Sequence, residues 1–379
     1  MITTKQLFWS EDGGWQSLPG SDFNNRASLV LVFGERYLLE NATRYEELKM
    51  LFPAASIVLS STSGDILNTQ VYDNTITATA ISFQKTAISC VSLPIMESSQ
   101  SREVGKSILN ALHKDDLVHV LVIADGGKVN GSELVKGLNS SGSVSVTGGL
   151  AGDASRFEKT LTGLNQAPTE GNVIGIGFYG SNIKVGHGTY GGWDLFGAER
   201  EVTKSVGNVL YDLDGRSALD LYKLYLGEKA KDLPASALLF PLGMRFNEDS
   251  EVLVRTILSV DHELKTMTFA GDIPQGSIVR LMKANFEKLI DGAENAANAS
   301  FDFLEYNQAQ FALLISCVGR KLVLGPRIEE EVEAVREALG KKPTLAGFYS
   351  YGEISPLAKD RSCELHNQTM TVTTFAEVL

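Results

Sequence analysis

The stretch VSVTGGLAGD (Val144–Asp153) sets the expected fold of this chain, because its pattern occurs twice more. IVLSSTSGDI spans Ile57–Ile66, and TLAGFYSYGEI spans Thr344–Ile354. In all three stretches an apolar run leads into small or hydroxyl residues, and a glycine is followed at once by an acid. Glycine permits tight turns and close backbone approach, so each stretch predicts a strand that ends in a turn.

A second recurring pattern, a strand followed by a helix, precedes each turn. The apolar strands start at Leu29, Val118 and Phe311, and the helix-like segments end near Phe52, Leu138 and Leu339. The unit of strand, helix, strand, glycine turn and acid therefore recurs three times, which indicates one duplicated architecture. We expect an α/β fold with mixed parallel and antiparallel sheets covered by helices.

The three turns are expected to meet, because α/β proteins bind ligands at the carboxyl ends of strands that lie below crossover helices. Turn residues of the second and third repeats would line the shared pocket: Gly148, Gly149, Gly152, Asp153, Gly347, Gly352 and Glu353. The alternative is that each glycine only turns the chain.

Several further elements follow from β-rich runs and helical periodicity. The sequence predicts adjacent strand pairs at Thr75–Phe83 with Ala87–Leu93, at Val173–Tyr179 with Ile183–His187, and at Val252–Val260 with Met267–Ala270. It also predicts helices at Ser99–His113, Ser277–Ala297 and Arg327–Leu339. A polar stretch at Glu199–Asn208 suggests a break between two domains, 27–203 and 204–379, after an extension at 1–26.

Composition narrows the class of protein. The hydrophobic fraction of 43% and the charged fraction of 21% are those of an ordinary globular protein. A net charge of -12 argues against nucleic-acid binding, which needs clustered Lys and Arg. We expect no membrane insertion and no secretory signal, because the long apolar runs that they require are not found. Three widely separated cysteines fit a reducing compartment, so a cytoplasmic location is expected.

Familiar catalytic motifs are missing from the sequence. There is no GxxxxGK[ST] phosphate loop, no GxSxG nucleophile elbow, no HExxH and no paired CxxC. We therefore do not expect an enzyme. The alternative in that class is an unrecognised hydrolase or transferase that uses the Gly-Asp and Gly-Glu turns.

Two of the five histidines lie in distinctive surroundings. His187 stands between two glycines, with Tyr190 and Trp193 nearby, a setting that suits a flat ligand or an axial bond to haem iron. A hydrogen-bonded histidine in a structural turn is the alternative. His366 follows Cys363 by three positions, but on a strand the two face opposite sides, so His366 and Asn367 are expected to anchor a pocket.

Together these residues resemble a known family, the FIST sensory proteins with FIST N and C domains. The resemblance covers nearly the whole chain from about residue 27. The matching motifs are GGLAGD at Gly148, GHGTYGGWDLFG at Gly186, LDG at Leu213, SCVGR at Ser316, GFYSYGEI at Gly347 and ELHNQTM at Glu364. The first turn, SSTSGD, departs from the GCSTAGE that is usual in the family, which puts a binding role of that turn in doubt.

The resemblance implies a ligand-sensing module of bacterial signal transduction, for which amino-acid-like ligands have been suggested. It is nearest to the stand-alone NosP branch, which implies a haem-dependent nitric oxide sensor that regulates a partner histidine kinase. An iron–sulfur cluster is the alternative cofactor within that branch. We expect His187 to be the axial haem ligand and Tyr190, Trp193, His366 and Asn367 to support the pocket. A FIST module without metal that binds an amino-acid-like ligand is the alternative, and homo-oligomerisation is left open.

Overall fold

A computed structural model of the chain describes residues 1–18, 23, 26–140, 144–247, 252–302, 304, 308–357 and 362–378. The strands, in chain order, are β1 (Thr3–Ser10), β2 (Gly14–Ser17), β3 (Leu29–Gly34), β4 (Ser56–Ser61), β5 (Asp65–Leu67), β6 (Gln70–Tyr72), β7 (Ile76–Ser82), β8 (Ala87–Pro94), β9 (Leu117–Ala124), β10 (Ser145–Leu150), β11 (Thr162–Leu164), β12 (Asn172–Tyr179), β13 (Ile183–Tyr190), β14 (Asp194–Val206), β15 (Val209–Leu213), β16 (Arg216–Ser217), β17 (Leu242–Arg245), β18 (Leu253–Arg255), β19 (Ile257–Asp261), β20 (Thr266–Phe269), β21 (Ile278–Lys283), β22 (Phe311–Cys317), β23 (Thr344–Ser350), β24 (Gly352–Pro356), β25 (Cys363–His366) and β26 (Met370–Glu377).

The helices cover the outer faces of these strands. They are α1 (Arg36–Leu39), α2 (Thr43–Leu51), α3 (Ser101–Leu112), α4 (Gly131–Leu138), α5 (Ala218–Leu226), α6 (Phe286–Asp302), α7 (Val318–Leu324) and α8 (Ile328–Leu339). The chain is therefore a mixed α/β protein, as the repeated pattern predicted. No helix within the described residues is long and apolar enough to cross a membrane.

Three six-stranded sheets share one strand order. Sheet I is β11-β4-β3-β7-β1-β2, sheet II is β24-β10-β9-β12-β8 with β25 outside β24, and sheet III is β5-β23-β22-β26-β13 with β6 outside β5. In each sheet the two strands of one repeat are parallel neighbours, flanked by an antiparallel strand on one side. The parallel pairing follows from the helical crossover between them. The three repeats therefore fold alike.

The strand on the other flank of each sheet comes from a different repeat. After the first turn, β5 joins sheet III beside β23; after the second turn, β11 joins sheet I beside β4. After the third turn, β24 joins sheet II beside β10. Each sheet thus receives one strand from another repeat, and the three exchanges form a closed cycle. The exchange ties the N-terminal and C-terminal parts of the chain together.

The three sheets enclose one apolar core. Its buried members come from all three sheets and include Leu31 and Phe33, Leu121 and Ile123, and Leu313 and Phe348. Phe33 and Phe348 stack with their ring centroids 4.7 Å apart. Separate apolar clusters lie between each sheet and its own helices. Every sheet is therefore covered on both faces, as layered α/β packing requires.

A fourth, eight-stranded sheet is formed by the segment from β14 to β21. Its strands are antiparallel neighbours, and α5 packs on them through Leu219 and Tyr222. This sheet has its own core, which includes Met244, Met267 and Phe269. It forms a distinct packing unit beside the three-sheet body.

The predicted helix at Ser277–Ala297 is wrong over its first nine residues. Ile278–Lys283 forms β21, which pairs with β14 and β17, and α6 begins only at Phe286. Ile278, Leu281 and Met282 satisfy a helical spacing over six residues, but a window that short cannot separate a helix from a buried strand. The helix predicted at Arg327–Leu339 is present as α8.

Two of the predicted strand pairs are also wrong, although the strands exist. β7 pairs with β1 and β3, whereas β8 pairs with β12 in sheet II. Likewise β12 pairs with β9, whereas β13 pairs with β26 in sheet III. In both places the chain turns a corner between sheets instead of forming a hairpin. The third pair is present, because β19 is antiparallel to β20.

The polar stretch at Glu199–Asn208 is mostly strand, not linker, since β14 runs from Asp194 to Val206 and pairs with both β21 and β15. Its alternating exposure explains the polar composition, because one face is covered and the other is open. The domain boundary proposed there stays a prediction. In the extension at 1–26, β1 and β2 complete sheet I, while residues 19–22 and 24–25 lie outside the described residues.

Candidate functional site

The three glycine turns meet at one end of the three-sheet body. Backbone hydrogen bonds join every pair of turns: Ser63 N to Tyr349 O at 2.8 Å, Gly152 N to Ser61 O at 3.0 Å, and Tyr351 N to Leu150 O at 3.1 Å. The side chain of Ser61 adds a bond to the Gly152 carbonyl at 2.8 Å. The turns are therefore one bonded unit, and the first turn takes part despite its departure from the family pattern.

The glycines of the turns serve strand packing. A Cβ at Gly148 would lie 2.0 Å from the Val122 carbonyl oxygen, and one at Gly347 would lie 1.9 Å from the Leu314 carbonyl oxygen. A Cβ at Gly152 would lie 2.3 Å from Ser63 Oγ. Gly149 and Gly352 take part in the β10–β24 pairing. Gly148 and Gly347 thus let the two strands of their own repeats pack closely, and Gly152 lets the second turn approach the first. None of the five glycines lines the cavities described below.

The acid after each turn glycine is buried. Asp153 accepts from Arg36 Nε at 3.1 Å and from Arg156 Nε at 2.7 Å. Asp65 accepts from Thr62 Oγ1 at 2.6 Å, and burial raises its pKa to about 7. Two arginines thus compensate the charge of the acid in the second turn, whereas hydroxyl groups hold the acid of the first turn.

Glu353, the acid of the third turn, lies among hydroxyl groups as well. Its carboxylate accepts from Ser350 Oγ at 2.6 Å and from Thr369 Oγ1 at 2.9 Å. Burial raises the pKa of Glu353 to about 8, since these hydrogen bonds only partly offset the loss of hydration. We therefore expect Glu353 to hold a proton at neutral pH.

A cleft of 520 Å³ opens beside the joined turns, and we call it the turn cleft. Its walls come from three repeats. They are Glu35 after β3, Ser63 in the first turn with Val71, Asp73 and Asn74, then Ala154, Ser155 and Arg156 after the second turn, and Val318, Lys321, Leu322, Gly325 and Ile328 around α7. A volume in this range suits a small-molecule ligand.

The turn cleft carries charges of both signs. Arg156 contacts Glu35 at 2.6 Å and is also held by Asp153, so its guanidinium is fixed on the buried acid. Lys321 donates to the Ser63 carbonyl at 2.9 Å and pairs with Asp73. Each cation of the cleft therefore stands next to an anion. Neither Arg156 nor Lys321 was predicted from the sequence, although Arg156 stands three residues after the turn acid Asp153.

Helix α7, which carries Lys321, is fixed by a buried network. Arg320 donates from Nε and Nη2 to Glu331 Oε2 at 2.9 and 2.7 Å, and Glu331 Oε1 accepts from Tyr349 OH at 2.7 Å. Arg320 also donates to the Leu289 carbonyl at 2.7 Å. A buried guanidinium with its partners satisfied holds the helix in one position.

His187 does not have the open surroundings that its glycines suggested. A Cβ at Gly186 would lie 1.9 Å from the Ser300 carbonyl oxygen, and one at Gly188 would lie 2.1 Å from the Ala296 carbonyl oxygen, so both glycines admit α6. Because side chains alternate along a strand, His187 points to the face of β13 opposite α6, towards the buried His119. Burial lowers the pKa of His187 to about 4.

The side chains that were expected to share a pocket with His187 lie in different environments. Tyr190 is 47% exposed, whereas Trp193 is buried in a cluster with Met282 and Leu289 and donates from Nε1 to the Gln368 carbonyl at 2.9 Å. The residues around His187 therefore do not fit a haem group, since packed backbone and buried side chains occupy both sides of the strand.

His366 and Asn367 are both buried near the third turn. His366 bonds the Ser355 carbonyl through Nε2 at 2.8 Å, which anchors β25 to β24. The carboxamides of Asn367 and its neighbour Gln368 are also buried, and neither has a hydrogen-bond partner in the described part of the chain. The side chains of Asn367 and Gln368 thus hold donors and acceptors that the described residues do not use.

The cysteines do not form a cluster. Cys90 lies on β8, Cys317 ends β22 and Cys363 begins β25, so the three cysteines lie on three different strands. Among the residues that the structure describes, no group of three His, Cys, Asp or Glu side chains is placed to hold a metal ion. The described residues therefore do not fit an iron–sulfur cluster.

Comparison with known families finds a FIST N domain over residues 28–216 and a FIST C domain over residues 218–356. An uncharacterized protein of Methanocaldococcus jannaschii is 24% identical to this chain, and the match covers 88% of this chain and 71% of the relative. FIST domains are generally sensory ligand-binding modules in signalling.

The solved structures that match this chain are remote. A cyanuric acid hydrolase from A. caulinodans is 8% identical, covers 100% of both chains and has a TM-score of 0.39. PurLQS from Thermotoga maritima is 9% identical, covers 84% of this chain and 74% of its own, and has a TM-score of 0.21. Neither TM-score reaches 0.5, so neither likeness informs the activity of this chain.

If Gly186 serves the packing of α6, Gly186→Ala should destabilise the protein by about 1–3 kcal/mol, because the added methyl group forces backbone apart. Urea unfolding followed by circular dichroism measures the change. Gly127→Ala is the matched control, because its Cβ has nothing nearer than 3.5 Å. Equal stabilities of the two variants would contradict the packing role.

The raised pKa of Glu353 makes a prediction about pH. The folded state holds a proton that the unfolded chain, with an ordinary pKa of 4.5, releases. The contribution of Glu353 is therefore complete below about pH 4.5 and is lost as pH rises towards about 8, at about 1.4 kcal/mol per pH unit.

Glu353→Gln keeps the hydrogen bonds to Ser350 and Thr369 but removes the titration. Urea unfolding from pH 5 to pH 8 should show a shallower loss of stability in this variant than in the wild type. Parallel pH profiles of the two proteins would show that Glu353 is ionised when folded, against our assignment.

Proposed function

The chain belongs to the FIST family, with a FIST N domain followed by a FIST C domain, and on that premise we propose that it is a ligand-sensing protein of signal transduction. Its ligand is a small zwitterionic, amino-acid-like molecule, and its binding site is the turn cleft. The observation that carries this proposal is the placement of two cations and two anions, each beside an opposite charge, around one cavity.

The chemistry of the cleft matches the two charged groups of an amino acid. Asp153 and Glu35 hold Arg156 through Nε and Nη2, which orients the guanidinium and leaves Nη1 to donate to a ligand carboxylate. Lys321 supplies a second positive charge, while Glu35 and Asp73 can accept an ammonium group. Val71, Val318 and Ile328 offer apolar contact to a side chain.

Binding in the turn cleft would affect more than one repeat. A ligand held by Arg156 and Lys321 bridges the segment after the second turn and helix α7. A signal needs a difference in affinity between two conformations, and contacts to separate segments provide one. For the output we propose a partner histidine kinase, the class that the resemblance to NosP implies. We also propose a sensory and not a catalytic role, since the three turn acids are buried and held by hydrogen bonds.

A haem-dependent nitric oxide response is the other function that the resemblance implies. It would need a porphyrin-sized opening at His187, where α6 packs closely on the flanking glycines. Purified protein incubated with hemin should therefore give no Soret shift that depends on His187. A shifted Soret band in the wild type that is lost in His187→Ala would restore the haem assignment.

The test of the amino-acid proposal is a thermal-shift screen of the full chain against the free amino acids. At least one should raise Tm, and Arg156→Lys should weaken its binding by about tenfold or more, because one charged hydrogen bond is lost. Isothermal titration gives the affinities.

Arg245→Lys is the matched control, since Arg245 makes two hydrogen bonds to Glu199 at 3.0 and 2.9 Å and does not line the cleft. The proposal fails if no amino acid binds, or if both arginine variants bind like the wild type.

A further inference from the structure

A second cavity, of 340 Å³, lies between the three-sheet body and the fourth sheet, and we call it the crevice. On one side its wall is formed by Gly126 and Gly127 after β9, together with Phe157 and Tyr351. The opposite wall is formed by Leu258 on β19 and by Phe269–Gly271 at the end of β20. The crevice is therefore a gap between two packing units.

Aromatic rings dominate one wall of the crevice. Phe157 stacks on Tyr351 with ring centroids 4.6 Å apart and an interplanar angle of 20°. Tyr351 is half-buried beneath it, whereas Phe157 is 46% exposed, so one ring face is open. A flat ring of a ligand can extend this stack, and such contacts favour offset parallel rings.

Phe157 is held in an unusual backbone conformation. Its φ of 54° lies in the left-handed region, which a bulky residue rarely adopts. The Tyr351 hydroxyl fixes it by accepting from the Phe157 N–H at 3.1 Å. Strain of this kind clusters at binding sites, where the surroundings hold a side chain in place for a ligand.

The charges at the crevice are already compensated. Glu158 accepts from Arg36 at 3.3 Å, and Lys159 donates to Glu40 at 3.1 Å. The other polar side chains are neutral, among them the carboxamides of Asn130 and Asn208. The charged and amide side chains of the lining are thus already paired, so the open ring face of Phe157 is the feature that a ligand can use.

We propose that the crevice is a second ligand site, separate from the turn cleft, for a flat, uncharged heteroaromatic molecule of nucleobase size. One segment connects the two sites: Ala154–Arg156 line the turn cleft and Phe157–Thr160 line the crevice. A ring stacked on Phe157 restrains the same segment that carries Arg156, so the second site can modulate the first.

The test uses adenine and uracil as probes of the full chain, with cyclohexanecarboxamide as a non-aromatic probe of similar size. Saturation-transfer NMR and titration calorimetry should show binding of at least one base and none of cyclohexanecarboxamide. Hydrogen exchange at the Phe157 amide should slow when the base is bound.

Two variants locate the site. Gly127→Leu fills the crevice, and Phe157→Ala removes the stacking face, so each should weaken binding of the base by at least about tenfold. Phe286→Ala is the matched control and should bind like the wild type, because Phe286 is 45% exposed but lies outside the crevice. Circular dichroism confirms that each variant folds.

Three results would overturn the proposal. The wild type binds neither base; or Gly127→Leu and Phe157→Ala bind as tightly as Phe286→Ala; or cyclohexanecarboxamide binds as well as the bases. The first and third reject the class of ligand, and the second rejects the site.

Discussion

The backbone hydrogen bonds between the three glycine turns are the constraint on which the rest of the structure depends. The bond between the second turn and the first needs a glycine, because a Cβ at Gly152 would lie 2.3 Å from Ser63 Oγ. The strands β5, β11 and β24 leave these turns and each enters another repeat's sheet. The turns therefore set both the cyclic arrangement of the sheets and the position of the turn cleft.

Buried ion pairs position the charged side chains that line the turn cleft. Asp153 is compensated by arginines, and one of them, Arg156, reaches the turn cleft. Arg320 and Glu331 hold α7, which brings Lys321 to the opposite wall. An uncompensated charge would be costly in such surroundings, so the ion pairs that orient the cleft also keep the interior stable. The residues of the proposed binding site thus also stabilise the structure.

The repeated units could be predicted because their information is local. The glycine, the acid after it and the preceding apolar run lie within ten residues, and the structure forms a turn and a strand at each. Strand partners could not be predicted, because β7 and β8 are neighbours in the sequence but belong to different sheets. Only long-range packing decides whether a short connection makes a hairpin or a corner.

Prediction of the candidate site from the sequence is limited in the same way. Sequence spacing correctly suggested that the turns meet, but Gly186 and Gly188 gave no sign of whether a ligand or a helix lies against them. Arg156 and Lys321 are 165 positions apart, so their approach to one cleft could not be seen before the fold was known. The chemistry of a surface charge depends on its neighbours, and those come from three repeats.

The most direct test of the central claim is a crystal structure of the full chain with the amino acid that raises its Tm most. The account predicts ligand density in the turn cleft, with the carboxylate within hydrogen-bonding distance of Arg156 and the ammonium group facing Glu35 or Asp73. Ligand density away from the three turns, with the turn cleft empty, would contradict it.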